Sequence, residues 1–435
     1  MQFLVMSLIV VATTFDFLVS RSWLPAPAKY FVELFGAVVF LCVVAAGARD
    51  RFRNVRPVYW LLFGAIVLVM MCGVLANRVE SGPLFAGLRN FARAIPLFFL
   101  PAVIKFSERQ IKSQLWLLLG ILLLQVPLAV HQRMAGLAAG GVTGDTTYGT
   151  LMISSFLSIF LICGVAVLVG LYLRKLIRFR AAFVLFVVLL VPTTINETKG
   201  TVILLPIALL TVFLVAAKPG TRTKNFVFAT LILCTFGAAF IPIYDYLIMV
   251  RHYPVTIGEM ISDPGKLSNY LSKRDAQIGA TEKTGRLDSI VVPWQVLAKD
   301  PARLVFGLGP GNASHSSLGP KFTGRYNYLL EPFMTTTFAV IVSELGALGL
   351  CLVLALYWKI FSDCRAVAGA ANPLMGGIAL GWAGVTGVML VSIAYKNLIP
   401  SAALSFLFWY LSGVVAAERQ RLAYAVQRSG ATTRR

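Results

Sequence analysis

Long apolar runs recur along the chain, separated by short polar or basic segments, at the length that helices need to cross a bilayer. About 30 Å of hydrocarbon takes roughly 20 helical residues. Runs of that kind predict about twelve spans, at 3–20, 29–47, 58–76, 84–104, 114–132, 149–173, 181–196, 200–217, 226–248, 336–357, 375–395 and 399–417. The first has no basic leader, and Thr13–Ser20 (TTFDFLVS) is a poor match to a small-residue cleavage site, so it reads as a retained helix. The expected fold class is all-α, a polytopic membrane helix bundle.

One segment breaks the rhythm. Residues 249–335 contain no spanning run but carry ten Lys and Arg, seven Asp and Glu and two of the three His. The chain therefore divides into N-terminal spans (1–248), a large loop (249–335), C-terminal spans (336–417) and a basic tail (418–435). Loops of this length in a compact fold usually carry function. Within it, Leu287, Ile290, Val291, Trp294, Leu297 and Ala298 recur at the spacing of one helical face. An amphipathic helix starting near Ser289 would hold Pro293 in its first turn and lie on the bilayer surface or cap the bundle.

Composition agrees with the pattern: 58% of residues are apolar, 13% are charged, and the mean hydropathy is +0.80, outside the range of soluble domains. The net charge of +21 would suit a nucleic-acid binder, but its distribution argues against one. The alternate connections 49–56, 105–112, 174–180, 218–224, 359–365 and the tail hold 21 of the 39 Lys and Arg, with only four acids. That asymmetry predicts both termini in the cytoplasm and the large loop on the outer, periplasmic face. The cysteines form no C-x-x-C pair, and no disulfide framework or thiolate metal site is indicated.

Val305–Ser317 reads VFGLGPGNASHSS, with G-x-G-x-G at Gly307, Gly309 and Gly311. It lacks the strand and helix context of a dinucleotide fingerprint and the Lys and Ser/Thr of a P-loop, so a tight turn with positive-φ positions is expected. Arg89 and Arg93 sit one helical turn apart inside an apolar run, where like charges call for an anionic partner. Lys199 opens the eighth span, and Glu197 precedes it by two residues. Arg286 starts the amphipathic helix, an end whose dipole favours anions. Glu344 lies inside a span and needs a hydrogen-bonding or basic partner. His315 is the one histidine in a motif-like setting.

The order of these features resembles the superfamily of O-antigen ligases and O-antigen polymerases. The similarity lies in Thr198-Lys199-Gly200 at a span mouth, then Gly285-Arg286, Trp294, Pro301, Phe306–Gly311, and E-L-G-A-L-G at Glu344–Gly349. The resemblance is clearest over about residues 195–350. It implies a glycosyltransferase of the inner membrane with a GT-C-like bundle, taking undecaprenyl-diphosphate-linked glycans, metal-independent and calling for no cofactor. Ligases typically have Ser-Arg-Gly where this chain has Thr198-Lys199-Gly200, and His-Asn where it has Thr335-Thr336. Those departures favour a polymerase of O-antigen, capsule or exopolysaccharide repeat units, working beside a flippase and a chain-length regulator.

On this reading Arg89, Arg93, Lys199 and Arg133 bind the diphosphate and Arg286 stabilises it as it leaves. His315, Asp288 and Glu282 are candidate general bases for the acceptor hydroxyl. Tyr253, Trp294, Tyr326 and Tyr328 are candidates for stacking on sugars. An O-antigen ligase acting on a lipid A core and, from another class, a transporter or flippase of an anionic solute remain the alternatives.

Overall fold

The structure is a computed structural model that describes residues 1–50, 52–139, 144–217, 222–249, 256–266, 268 and 285–432. Among them every regular element is helical. The principal helices are α1 (Gln2–Ser20), α2 (Phe31–Asp50), α3 (Pro57–Asn77), α4 (Ser81–Ala92), α5 (Ile95–Val103), α6 (Glu108–Ala138), α7 (Ser154–Leu173), α8 (Phe179–Ile195) and α9 (Thr201–Ala216). After them come α10 (Arg222–Met249), α11 (Ile257–Ser262), α12 (Arg286–Leu297), α13 (Pro301–Phe306), α14 (Thr337–Ala368), α15 (Pro373–Tyr395) and α16 (Ala402–Thr432). Among the described residues, seven stretches are long and apolar enough to cross a membrane: Gln2–Ser20, Ala26–Arg49, Pro57–Asn77, Glu108–Ala138, Ser154–Leu173, Thr337–Ala368 and Pro373–Tyr395. Helices α8 and α9 are apolar but shorter. The protein is membrane-embedded.

Local chemistry explains where the helices begin. Ser107 opens α6 with a capping box, its Oγ accepting from Gln110 N at 3.3 Å and its N–H donating to Gln110 Oε1 at 2.8 Å. Asn372 caps α15 and Asp300 caps α13, each followed by proline at the first helical position. Helix α15 lies at the centre of the bundle, packed on α7, α9 and α14. Across it, Trp382 Nε1 donates to Ser412 Oγ of α16 at 2.9 Å, and Tyr410 OH donates to Gln114 Oε1 of α6 at 2.7 Å. At one end of the bundle the buried Asp363 of α14 accepts from Arg56 (2.7 Å), Tyr59 OH (2.8 Å) and Lys359.

Two expected spans are interrupted. The run 84–104 is not one helix: α4 ends at Ala92 and α5 starts at Ile95. Pro96 has no N–H to donate to Ala92, and its ring crowds that carbonyl, so the ladder cannot continue across Arg93 and Ala94. Helix α14 is broken at Gly346, where φ is +67° and ψ is −168°. That point lies about 14 Å along the helix from Thr337 at 1.5 Å per residue. Non-helical backbone at such a depth persists only where protein covers it and satisfies its polar groups. Here Leu308 N donates to Ser343 O at 2.8 Å and Gly309 N to Glu344 O at 3.0 Å, so the carbonyls released by the break are taken up by the glycine turn.

Helix α12 also differs from expectation. It starts at Arg286 and buries Ser289, Pro293 and Leu297, while Leu287 and Val291 of the apolar stripe point outward. Ser289 is drawn inward because its Oγ meets Thr335 Oγ1 at 2.5 Å and donates to Gly285 O at 3.2 Å. The helix caps α14 through that face.

A Cβ at Gly346 would stand 2.4 Å from Val305 O on a backbone that side chains rarely adopt. Gly346→Ala is expected to lower the thermal midpoint of the detergent-solubilised protein, by a strain of about 1–3 kcal/mol. Gly64→Ala, at a helical position with open space around it, is expected to leave the midpoint unchanged or raise it slightly.

Candidate functional site

The glycine turn adopts the positive φ values its sequence suggests, +74° at Gly307, +90° at Gly309 and +76° at Gly311. Its backbone N–H groups are all engaged. Gly307 donates to Arg303 O (2.8 Å), Leu308 and Gly309 to the break in α14, Gly311 to Glu344 Oε2 (2.8 Å) and Asn312 to Gly309 O (3.2 Å). Glu344 is 1% exposed. Its other oxygen accepts from Ser314 Oγ at 2.5 Å, and the N–H groups of Ala313 and Ser314 face the same carboxyl group. The acceptor cradled by this turn is therefore the protein's own Glu344 carboxyl group, and no N–H of Gly307–Asn312 is left over for a phosphate. Asn77 Nδ2 holds the far side by donating to Gly307 O at 3.0 Å.

Arg89 and Arg93 come together, but their partner is internal. Glu33 of α2 takes Arg89 in a two-point ion pair, with Nε to Oε2 at 2.8 Å, and lies 3.9 Å from Arg93. Arg93 also donates to Ile399 O at 2.5 Å. The external anion expected for this pair is thus replaced by a carboxylate that ties α2, α4 and the α15–α16 connection together. Asp16 of α1 lies in the field of the same arginine. Lys29 acts on Asp16 as well, so three cations share the two carboxyl groups of Glu33 and Asp16.

The other cations gather elsewhere. Arg133 of α6 is ion-paired with Glu197, the side chains being 7% and 10% exposed, and Glu197 also accepts from Gly144 N at 3.0 Å. Tyr244 OH donates to Glu197 O at 2.5 Å, fixing the turn that leads to Lys199. The next residue, Gly200, is covered by the ring of Tyr395, since a Cβ there would lie 2.5 Å from Tyr395 Cζ. The Arg286 guanidinium stands over that same ring, 4.3 Å from its centroid. Tyr395 thereby joins the Lys199 turn to the start of α12.

A strap, Tyr395–Pro400, runs from this group toward the glycine turn. It pairs with the start of α14: Asn397 N donates to Thr335 O (2.8 Å), Thr337 Oγ1 to Lys396 O (3.0 Å) and Leu398 N to Thr337 Oγ1 (2.8 Å). Tyr395 and Ile399 are four residues apart and so at most about 14 Å from each other, which puts the Tyr395 group and the Arg93 group at the same end of the bundle. Thr336 caps α14 by accepting from Ala339 N at 3.1 Å.

Beside the strap lies a cavity of about 240 Å³, whose lining includes Asn90, His315, Asn327, Glu331, Glu344 and Asn397. His315 is exposed at its edge. A larger cavity of about 580 Å³ is lined almost wholly by apolar side chains, with Lys112 the one charged residue among the described ones, and suits hydrocarbon. Asp288 sits in the first turn of α12, where a carboxylate complements the helix dipole. Trp294 packs edge-to-face on Phe338, 6.2 Å between centroids, so its ring is occupied within the bundle. Tyr326 is crossed by Arg303 and Arg325, and Tyr328 is 81% exposed. Glu282 and Tyr253 lie outside the described residues.

Sequence reasoning missed Glu33, Tyr395, Asn90, Asn327 and the strap. The only local signal was a polar Y-K-N ahead of a proline between two apolar runs. No family model matches the sequence, and no curated protein matches it.

Breaking the Arg133–Glu197 pair on one side is expected to cost far more than replacing both partners. Glu197→Ala leaves a buried guanidinium uncompensated and should destabilise by about 3–5 kcal/mol. Arg133→Met combined with Glu197→Leu should recover most of the thermal midpoint in detergent.

Proposed function

We propose that the protein is a polysaccharide polymerase of the inner membrane. It would pass a growing glycan from undecaprenyl diphosphate to a hydroxyl of a second lipid-linked repeat unit. In the full arrangement about twelve spans cross the bilayer, both termini face the cytoplasm and the site faces the periplasm. The observation that carries this reading is the meeting of Arg286 and the Lys199 turn at Tyr395.

In the reaction the acceptor oxygen attacks the anomeric carbon of the donor sugar. The bond from that carbon to the phosphate oxygen breaks, and the diphosphate leaves with the electron pair. Lys199 and Arg286, with Arg133 behind them, are placed in the role of stabilising the charge that develops there. The first turn of α12, with the N–H groups at its start, adds its dipole in the same sense. His315 takes the proton of the acceptor hydroxyl at the cavity edge. Arg89 and Arg93 act as positioning residues, holding the strap through Glu33 and Ile399.

A transporter of an anionic solute gains one point from the two interrupted helices, since broken helices often build transport sites. Against it, the carbonyls freed at Gly346 are already bonded to the glycine turn. A transporter would move solute and make no glycosidic bond.

Arg286→Ala is expected to reduce polymer formation by about 10²–10³-fold, with normal amounts of protein in the membrane. Arg286→Lys should fall between the two, because it keeps the charge but loses the planar stacking surface. Gel analysis of polymer length with a parallel immunoblot checks both, and wild-type polymer in Arg286→Ala would overturn the assignment.

A further inference from the structure

The cavity beside the glycine turn has a chemical character unlike the Tyr395 group. Among the described residues that line it none is Lys or Arg, while two, Glu331 and Glu344, carry carboxyl groups. Its polar atoms are incompletely paired. Asn327, 9% exposed, donates through Nδ2 to Glu331 Oε2 at 2.9 Å, yet its Oδ1 is buried without a hydrogen-bond partner. Buried acceptors of this kind are rarely left unsatisfied, because an unpaired one costs about 1–3 kcal/mol. The Asn90 amide, half-buried, and the His315 imidazole make no hydrogen bond among the described residues. Phe91, Met334 and Val340 supply apolar surface between these groups.

Donors, acceptors and apolar patches in one small space match a polyhydroxylated ring, whose hydroxyls both give and accept hydrogen bonds and whose C–H faces are apolar. The volume is below the roughly 300–1,000 Å³ of drug-sized sites, which limits the occupant to about one ring. A carboxylate on that ring would meet Glu331 and Glu344 with no cation in the lining to offset them. Arg93, which reaches the strap at Ile399, is directed to Glu33 and the Ile399 carbonyl, and Arg89 is paired with Glu33.

We propose that this cavity is a subsite for a single neutral sugar ring, read by Asn90 and Asn327, and that Glu331 excludes uronic acids from it. The inference rests on the polymerase reading in taking this ring as part of the acceptor glycan. It predicts that the acceptor residue held here is uncharged, whatever acidic sugars occur elsewhere in the repeat.

The test is ligand-observed saturation-transfer NMR on the full chain in lipid nanodiscs, with methyl α-glucoside, N-acetylglucosamine and glucuronate as probes. Signal is expected from at least one of the two neutral probes and none from glucuronate. It should fall by roughly threefold or more, the worth of one neutral hydrogen bond, in Asn90→Ala and Asn327→Leu. Asn90 makes no hydrogen bond among the described residues, so its variant reports recognition even if Asn327→Leu fails to fold. Glu331→Gln should admit glucuronate. Equal binding of glucuronate and the neutral probes, or no binding of any probe, would overturn the subsite. Neutral-sugar binding by a protein that makes no polymer would retain the subsite and remove the polymerase reading, so the two failures are separable.

Discussion

The Glu344 carboxylate, gripped by the turn that follows α13, is the interaction on which the rest of this end of the molecule depends. A long apolar helix is interrupted in mid-course at Gly346, and a break at that depth is tolerable only if its loosened carbonyls find donors. The glycine turn supplies them from Leu308 and Gly309, and Glu344 in turn supplies the acceptor that the turn's remaining N–H groups and Ser314 require. The two distortions satisfy each other. Neither would be stable alone, and together they set the wall of the polar cavity and the height at which α12 caps α14.

The second organising fact is that several buried or half-buried cations are answered by carboxylates. Glu33 holds Arg89 and Arg93, Glu197 holds Arg133, and Asp363 holds Arg56 and Lys359. Such pairs resist being pulled apart because removing one partner strands the other in a poorly solvated place. They fix helix against helix more than they await a ligand. Arg286 and the Lys199 turn meet at Tyr395, where α9 and α12 come together. Next to it the cavity is lined by amides and carboxyl groups without a cation. The proposed transfer of a sugar from a diphosphate to a hydroxyl would use a cationic place and a neutral one side by side.

Much of the bundle was legible in the sequence because hydropathy and length alone define an apolar helix. The positive φ of the glycine turn was legible too, since G-x-G-x-G with no strand before it suits little else. The interruptions were not. Gly346 sits in E-L-G-A-L-G, which reads as ordinary helix until Val305 and Gly307 are brought against it. The run 84–104 showed enough apolar residues for a span, and the effect of Pro96 on the ladder at Arg93 was outweighed by that count. Partners such as Glu33 and Glu197 lie far along the chain from Arg89 and Arg133, or on another helix, and no periodicity connects them. In α12 the apolar stripe at Leu287 and Val291 pointed to one face, whereas Ser289, fixed by Thr335, turned another inward.

The central claim is that Glu344 and the glycine turn stabilise each other through direct hydrogen bonds. A double-mutant cycle of Glu344→Gln and Ser314→Ala, followed by unfolding of the purified protein in detergent, measures it most directly. The account predicts a coupling free energy of about 1 kcal/mol or more between the two positions. Additivity within about 0.5 kcal/mol would contradict it.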